Sequence, residues 1–92
     1  MSVVIVGGNE CMTRKYIDLC KEYKCKAKVY AKKSGGLKNF GSPDLLVLFT
    51  DTLSHKTLKN ALDETKNTDV KIAYSNNSSK SALKKILEQH AV

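Results

Sequence analysis

Arginine is almost missing from this chain: Arg14 stands alone among 16 basic residues, and all the others are lysine. Proteins that read nucleic-acid bases rely on arginine for bidentate contacts. The net charge of +7 is therefore read first as a solvated lysine-rich surface, and second as an attraction for an anionic partner. Tryptophan is absent and aromatics make up only 7% of the chain. Few rings remain to build the stacking platforms that single-stranded nucleic acid uses. No apolar run approaches the roughly 20 residues of a membrane span. The first strand signal begins by Val3, which leaves no room for a signal peptide. The expectation is a soluble, cytoplasmic chain.

Cysteine is scarce and odd in number: Cys11, Cys20 and Cys25 are spaced C-x8-C-x4-C. Neither a zinc framework nor a disulfide scaffold follows from that spacing. It suits a reducing compartment, with Cys20 acting as a small core hydrophobe. Named phosphate motifs are also missing. Gly7-Gly8-Asn9-Glu10-Cys11-Met12 is not G-x-G-x-x-G, no G-x4-G-K-[ST] occurs, and Ala31-Lys32 offers no acid for a ribose. The first strand lacks the acidic pair with which a receiver domain holds Mg²⁺. Cys11 and Arg14 are too close for a C-x5-R phosphatase loop, and no serine sits in a nucleophile elbow.

What is present begins with Pro43 and DLLVLFTDTLSHK. Leu45–Phe49 is a short apolar run without alternation, as in a strand buried on both faces. Val3–Gly7 (VVIVG) reads the same way. Lys26–Ala31 alternates and carries lysine, which suits an edge strand, and Val70–Tyr74 is a fourth strand. Helices are expected at about Glu10 to Tyr23, Leu53 to Lys66 and Lys80 to Gln89, from apolar stripes at helical spacing. In the first, the stripe is Met12, Tyr16, Leu19, Cys20 and Tyr23, with Asn9 as N-cap. Ser78 or Ser79 caps the third. Lys32–Pro43 is a long Gly/Ser-rich connection, read as a lid or a short helical turn.

Strands alternating with helices imply a parallel sheet with right-handed crossovers. The expectation is one small three-layer, Rossmann-like α/β domain over residues 1–92. It has a four-stranded parallel sheet in the order 2-1-3-4 and three main helices. Ligands in such sheets bind at the carboxyl ends of the strands, near the switch point. Three segments are expected on that rim. They are Gly7-Gly8-Asn9-Glu10 with Arg14, then Thr50-Asp51-Thr52-Leu53-Ser54-His55-Lys56, then Ser75-Asn76-Asn77-Ser78-Ser79, with Gly7, Gly8, Asn9, Arg14, Thr50, Asp51, Ser54, His55, Lys56, Ser78 and Ser79 as the candidate binding residues. Each opens a helix, whose N-terminus favours anions.

His55 is one of two histidines and the one on this rim. With no second histidine or cysteine pair nearby, a protein-only zinc site is excluded. A lone histidine suffices as the axial ligand of haem iron, where the porphyrin supplies the other four ligands. Met12, Tyr16, Tyr23, Phe40 and Phe49 are candidate apolar walls. Arg14, Lys32, Lys33 and Lys56 are candidate partners for propionates.

VVIVGGNECMTRKY followed by PDLLVLFTDTLSHK resembles the bacterial domain-of-unknown-function family 2325. Gly7, Gly8, Asn9, Arg14 and Tyr16 carry the first part of the resemblance. Thr50, Asp51, Ser54, His55 and Lys56 carry the second, and Ser78 and Ser79 the third. The resemblance implies a small, non-enzymatic protein in which His55 would be the haem iron ligand.

Three readings stand in order. The first is a binding or sensing module for a small anionic ligand or haem, centred on His55. The second is a lysine-rich nucleic-acid or protein-interaction module, and the third an enzyme using Cys11 or His55. Homodimerisation is expected from the small size of the sheet.

Overall fold

A computed structural model describes residues 1–8, 10–30, 43–66 and 69–90. Its elements are β1 (Ser2–Val6), a 3₁₀ turn (Glu10–Met12), α1 (Thr13–Glu22), β2 (Lys26–Tyr30), β3 (Leu45–Phe49), α2 (His55–Glu64), β4 (Lys71–Ser75) and α3 (Lys80–His90). The strands form one parallel sheet in the order β2-β1-β3-β4. Fold class, strand order and helix count are those expected from the sequence. The connection at Lys32–Pro43 lies almost wholly outside the described residues; its last residue, Pro43, is buried.

Both central strands are sandwiched. Val3, Ile5, Leu45, Val47 and Phe49 face a core closed by Tyr16, Leu19 and Cys20 of α1 and Leu83, Ile86 and Leu87 of α3. Val4, Val6, Leu46 and Leu48 face the opposite core, closed by Ala61 with Leu53, Leu58 and Leu62. The sheet thus has α1 and α3 on one face and α2 on the other. Burial on both sides explains why β1 and β3 show no polar alternation. β2 and β4, at the edges, expose Lys26, Lys28, Lys71 and Tyr74.

The boundaries of α1 and α2 are tighter than the sequence suggests, while α3 runs one residue further than expected, to His90. α1 begins only at Thr13, because the residues from Glu10 to Met12 wind as 3₁₀. Its N-cap is Met12, which makes no side-chain capping bond; the expected cap, Asn9, lies outside the described residues. α2 starts at His55, because Ser54 caps it by accepting the Thr57 N–H at 3.2 Å. Leu53 therefore precedes the helix, yet still packs on its core. Of the two candidate serines for α3, Ser79 takes the Ala82 N–H at 3.2 Å.

The end of α1 is sharply defined. Cys25 N–H donates to the Cys20 carbonyl at 2.8 Å and Lys24 N–H to the Lys21 carbonyl at 2.9 Å, with Lys24 at φ 58°. That pattern is a Schellman motif, the 6→1 and 5→2 bonds satisfying carbonyls that the helix end leaves open.

Candidate functional site

The carboxyl ends of β1, β3 and β4 lead into three turns that bond to one another. Gly7 and Gly8 leave β1 at φ +93° and +88°, a region that side-chain-bearing residues rarely adopt. The Gly7 amide donates to the Tyr30 carbonyl at 3.0 Å. The Gly8 amide donates to Thr52 Oγ1 at 2.6 Å, which ties the turn after β1 to the turn after β3 across the switch point. Thr52 Oγ1 in turn donates to the Phe49 carbonyl at 3.1 Å. A Cβ on Gly8 would lie 2.9 Å from the ring and the hydroxyl of Tyr16, so glycine is also a packing requirement there.

The turn after β3 is tied equally to the turn after β4. Thr50 donates its amide to the Ser75 carbonyl at 2.7 Å and its hydroxyl to the same carbonyl at 3.2 Å. Ser78 Oγ donates to Asp51 Oδ2 at 3.2 Å. From beneath, the hydroxyl of fully buried Tyr16 donates to the Ser78 carbonyl. Ser79 caps α3 and donates its own amide to Asn77 Oδ1 at 2.9 Å. Ser75 closes the same turn, accepting the Asn77 amide at 3.2 Å and donating to the Asn77 carbonyl at 2.6 Å.

The sequence-selected residues therefore divide. Gly7, Gly8, Thr50, Asp51 and Ser78 come together in one bonded rim. Ser54 and Ser79 serve as helix caps. His55 and Lys56, the first two residues of α2, are exposed. Arg14 is exposed on α1, which packs on the other face of the sheet, and lines a groove with Cys11, Thr13, Ile17, Asp18 and Lys21. Asn9 lies outside the described residues. Thr52, expected on the rim but given no role there, and Tyr16, expected on the apolar stripe of the first helix, hold the rim together. The T-D-T-x-S-H-K spacing contains Thr52, but nothing in it signals a partner 44 residues away.

The structure also relocates the expected apolar walls of a haem pocket. Tyr16 and Phe49 are fully buried and stack on each other with ring centroids 5.3 Å apart, in the core shared with α1 and α3. Met12 and Tyr23 pack against that same core, and Phe40 lies outside the described residues. His55 heads the helix on the opposite face. Among the described residues, no group of three or more His, Cys, Asp and Glu side chains is arranged to hold a metal ion. None of their buried side-chain polar atoms lacks a hydrogen-bond partner.

Residues 2–90 match the family model described as an uncharacterized protein conserved in bacteria (DUF2325). The chain belongs to the DUF2325 family. No curated protein and no solved structure matches it. In this DUF2325 member the G-G turn and the T-D-T segment are two halves of a single clamp. The S-H-K segment caps α2 and presents a histidine and a lysine to solvent. No helix among the described residues is long and apolar enough to cross a membrane.

Proposed function

We propose that this DUF2325 protein is a binding module for a small anionic group, taken at the head of α2 on the carboxyl rim of the sheet. The observation that carries this reading is the exposure of His55 and Lys56 side by side at the start of a ten-residue helix capped by Ser54. The cap occupies the Thr57 amide, while the amides of His55 and Lys56 are first-turn donors with no carbonyl to reach within the helix. A cationic side chain, an imidazole and the positive end of the helix dipole then act together on one phosphate or carboxylate.

Haem is the more demanding occupant of the same place. Its iron would need only His55, but its porphyrin needs apolar walls, and Tyr16 and Phe49 are spent in the core of the other face. The arrangement therefore favours a compact oxyanion over a haem.

Titration of the ¹⁵N-labelled chain with inorganic phosphate tests this. Shifts should concentrate at the amides of residues 55 and 56 and disappear in Lys56→Ala with His55→Ala. Shifts spread evenly over the lysine-rich surface and unchanged in that variant would refute the reading. A parallel titration with hemin separates the two occupants. A Soret band lost in His55→Ala would replace the oxyanion by haem.

A further inference from the structure

The Schellman motif that closes α1 has a cysteine at each end of its 6→1 hydrogen bond, the Cys25 amide donating and the Cys20 carbonyl accepting. In this motif the two end residues are brought into side-chain contact, ordinarily as a hydrophobic pair. Here both side chains enter the same core, Cys20 fully buried and Cys25 4% exposed. The hydrogen bond joins the two backbones directly at 2.8 Å, and a disulfide asks for α-carbons about 4.4–6.8 Å apart.

We propose that Cys20 and Cys25 form a preorganised dithiol that a hydroperoxide converts to a disulfide, stapling the end of α1 to the start of β2. Cys25 is the thiol that reacts first, being the less buried of the two. Its Sγ lies 3.3 Å from the Tyr23 carbonyl, which accepts its proton in a hydrogen bond. Burial and the neighbouring Cys25 push the Cys20 thiol up to about 12. That keeps it protonated, so Cys20 reacts second, as the thiol that resolves the oxidised Cys25.

The chemistry balances without any further reactant. Cys25 sulfur attacks one oxygen of hydrogen peroxide, the O–O bond breaks, and the thiol proton leaves with the departing hydroxide, giving a sulfenic acid and one water. Cys20 sulfur then attacks Cys25 sulfur, the S–O bond breaks, and the Cys20 proton leaves with the hydroxide as a second water. Two electrons pass from the thiols to the peroxide. Cys11 takes no part: it is exposed and lies in the 3₁₀ turn that precedes the other end of α1.

The test uses the full chain carrying Cys11→Ser, which removes the exposed thiol and leaves the core intact. Treatment with hydrogen peroxide under native conditions should lower the intact mass by two hydrogens. Trypsin cuts after Lys21 and Lys24, so the expected link joins two otherwise separate peptides. The oxidised chain should melt at a higher temperature, and a dithiol reductant should reverse both changes. Oxygen addition without the link would overturn the proposal. So would a link that forms only between chains, or one that forms in urea but not in the native state.

Discussion

Replacing Thr52 by valine removes one oxygen from an exposed side chain, yet the structure assigns it a cost typical of a buried site. Thr52 Oγ1 is the acceptor for the amide of Gly8, which is itself buried. Valine has nearly the same shape and leaves that donor without a partner. The Phe49 carbonyl is less affected, since it keeps the Thr52 amide at 3.1 Å. One buried amide left unsatisfied costs about 1–3 kcal/mol, a sizeable share of the roughly 5–15 kcal/mol that holds a small domain together. For a chain of this size each kcal/mol lowers the melting temperature by about 4–8 °C. Thr52→Ser retains the oxygen and should stay within about 0.5 kcal/mol of the parent. Equilibrium urea unfolding of both variants measures the difference. Hydrogen exchange at the Gly8 amide should be faster in Thr52→Val than in the parent or in Thr52→Ser. Equal stability of the valine and serine variants would refute the argument that this clamp joins the two turns.

Gly8→Ala attacks the same clamp from the other side. Its Cβ would meet the Tyr16 ring at 2.9 Å and Phe49 at 3.1 Å, neither of which has space to move, and its φ of +88° is strained for alanine. Strain and overpacking are each of order 1–3 kcal/mol. Urea unfolding should therefore register a loss of about 2–5 kcal/mol; a loss below about 0.5 kcal/mol would show that the turn relaxes freely. The Cys20 thiol makes alkaline stability a further check. Burial raises its folded value to about 12, above the ordinary thiol value of 9.0, so the unfolded chain ionises first as pH rises. Its contribution is fully present below pH 9 and is lost between about pH 9 and 12, amounting to at most about 4 kcal/mol. Unfolding free energies measured from pH 8 upward should fall more steeply in the parent than in Cys20→Ala, and parallel slopes would refute this.

Local pattern was enough to specify the architecture. The unbroken apolar runs of Val3–Val6 and Leu45–Phe49 mark strands buried on both faces, since only a parallel sheet covered on both sides has no need of alternation. The lysine-bearing alternation of Lys26–Tyr30 marks an edge strand. The stripe of Tyr16, Leu19 and Cys20 marks the face of a helix that packs on the sheet. Right-handed crossovers then restrict the strand order to few choices.

The chemistry of the rim follows from contacts that no periodicity encodes. Thr52 meets Gly8 across 44 residues and Tyr16 meets Ser78 across 62. In sequence, all of these polar residues look equally suited to capping or to a ligand. Three-dimensional packing divides them, because a hydroxyl committed to a neighbouring turn satisfies the fold, whereas His55 and Lys56 at the head of α2 remain exposed. The same is true of Cys20 and Cys25. Their spacing suggested no disulfide, and it is the left-handed turn at Lys24 that folds the chain back and bonds the backbone of Cys25 to that of Cys20.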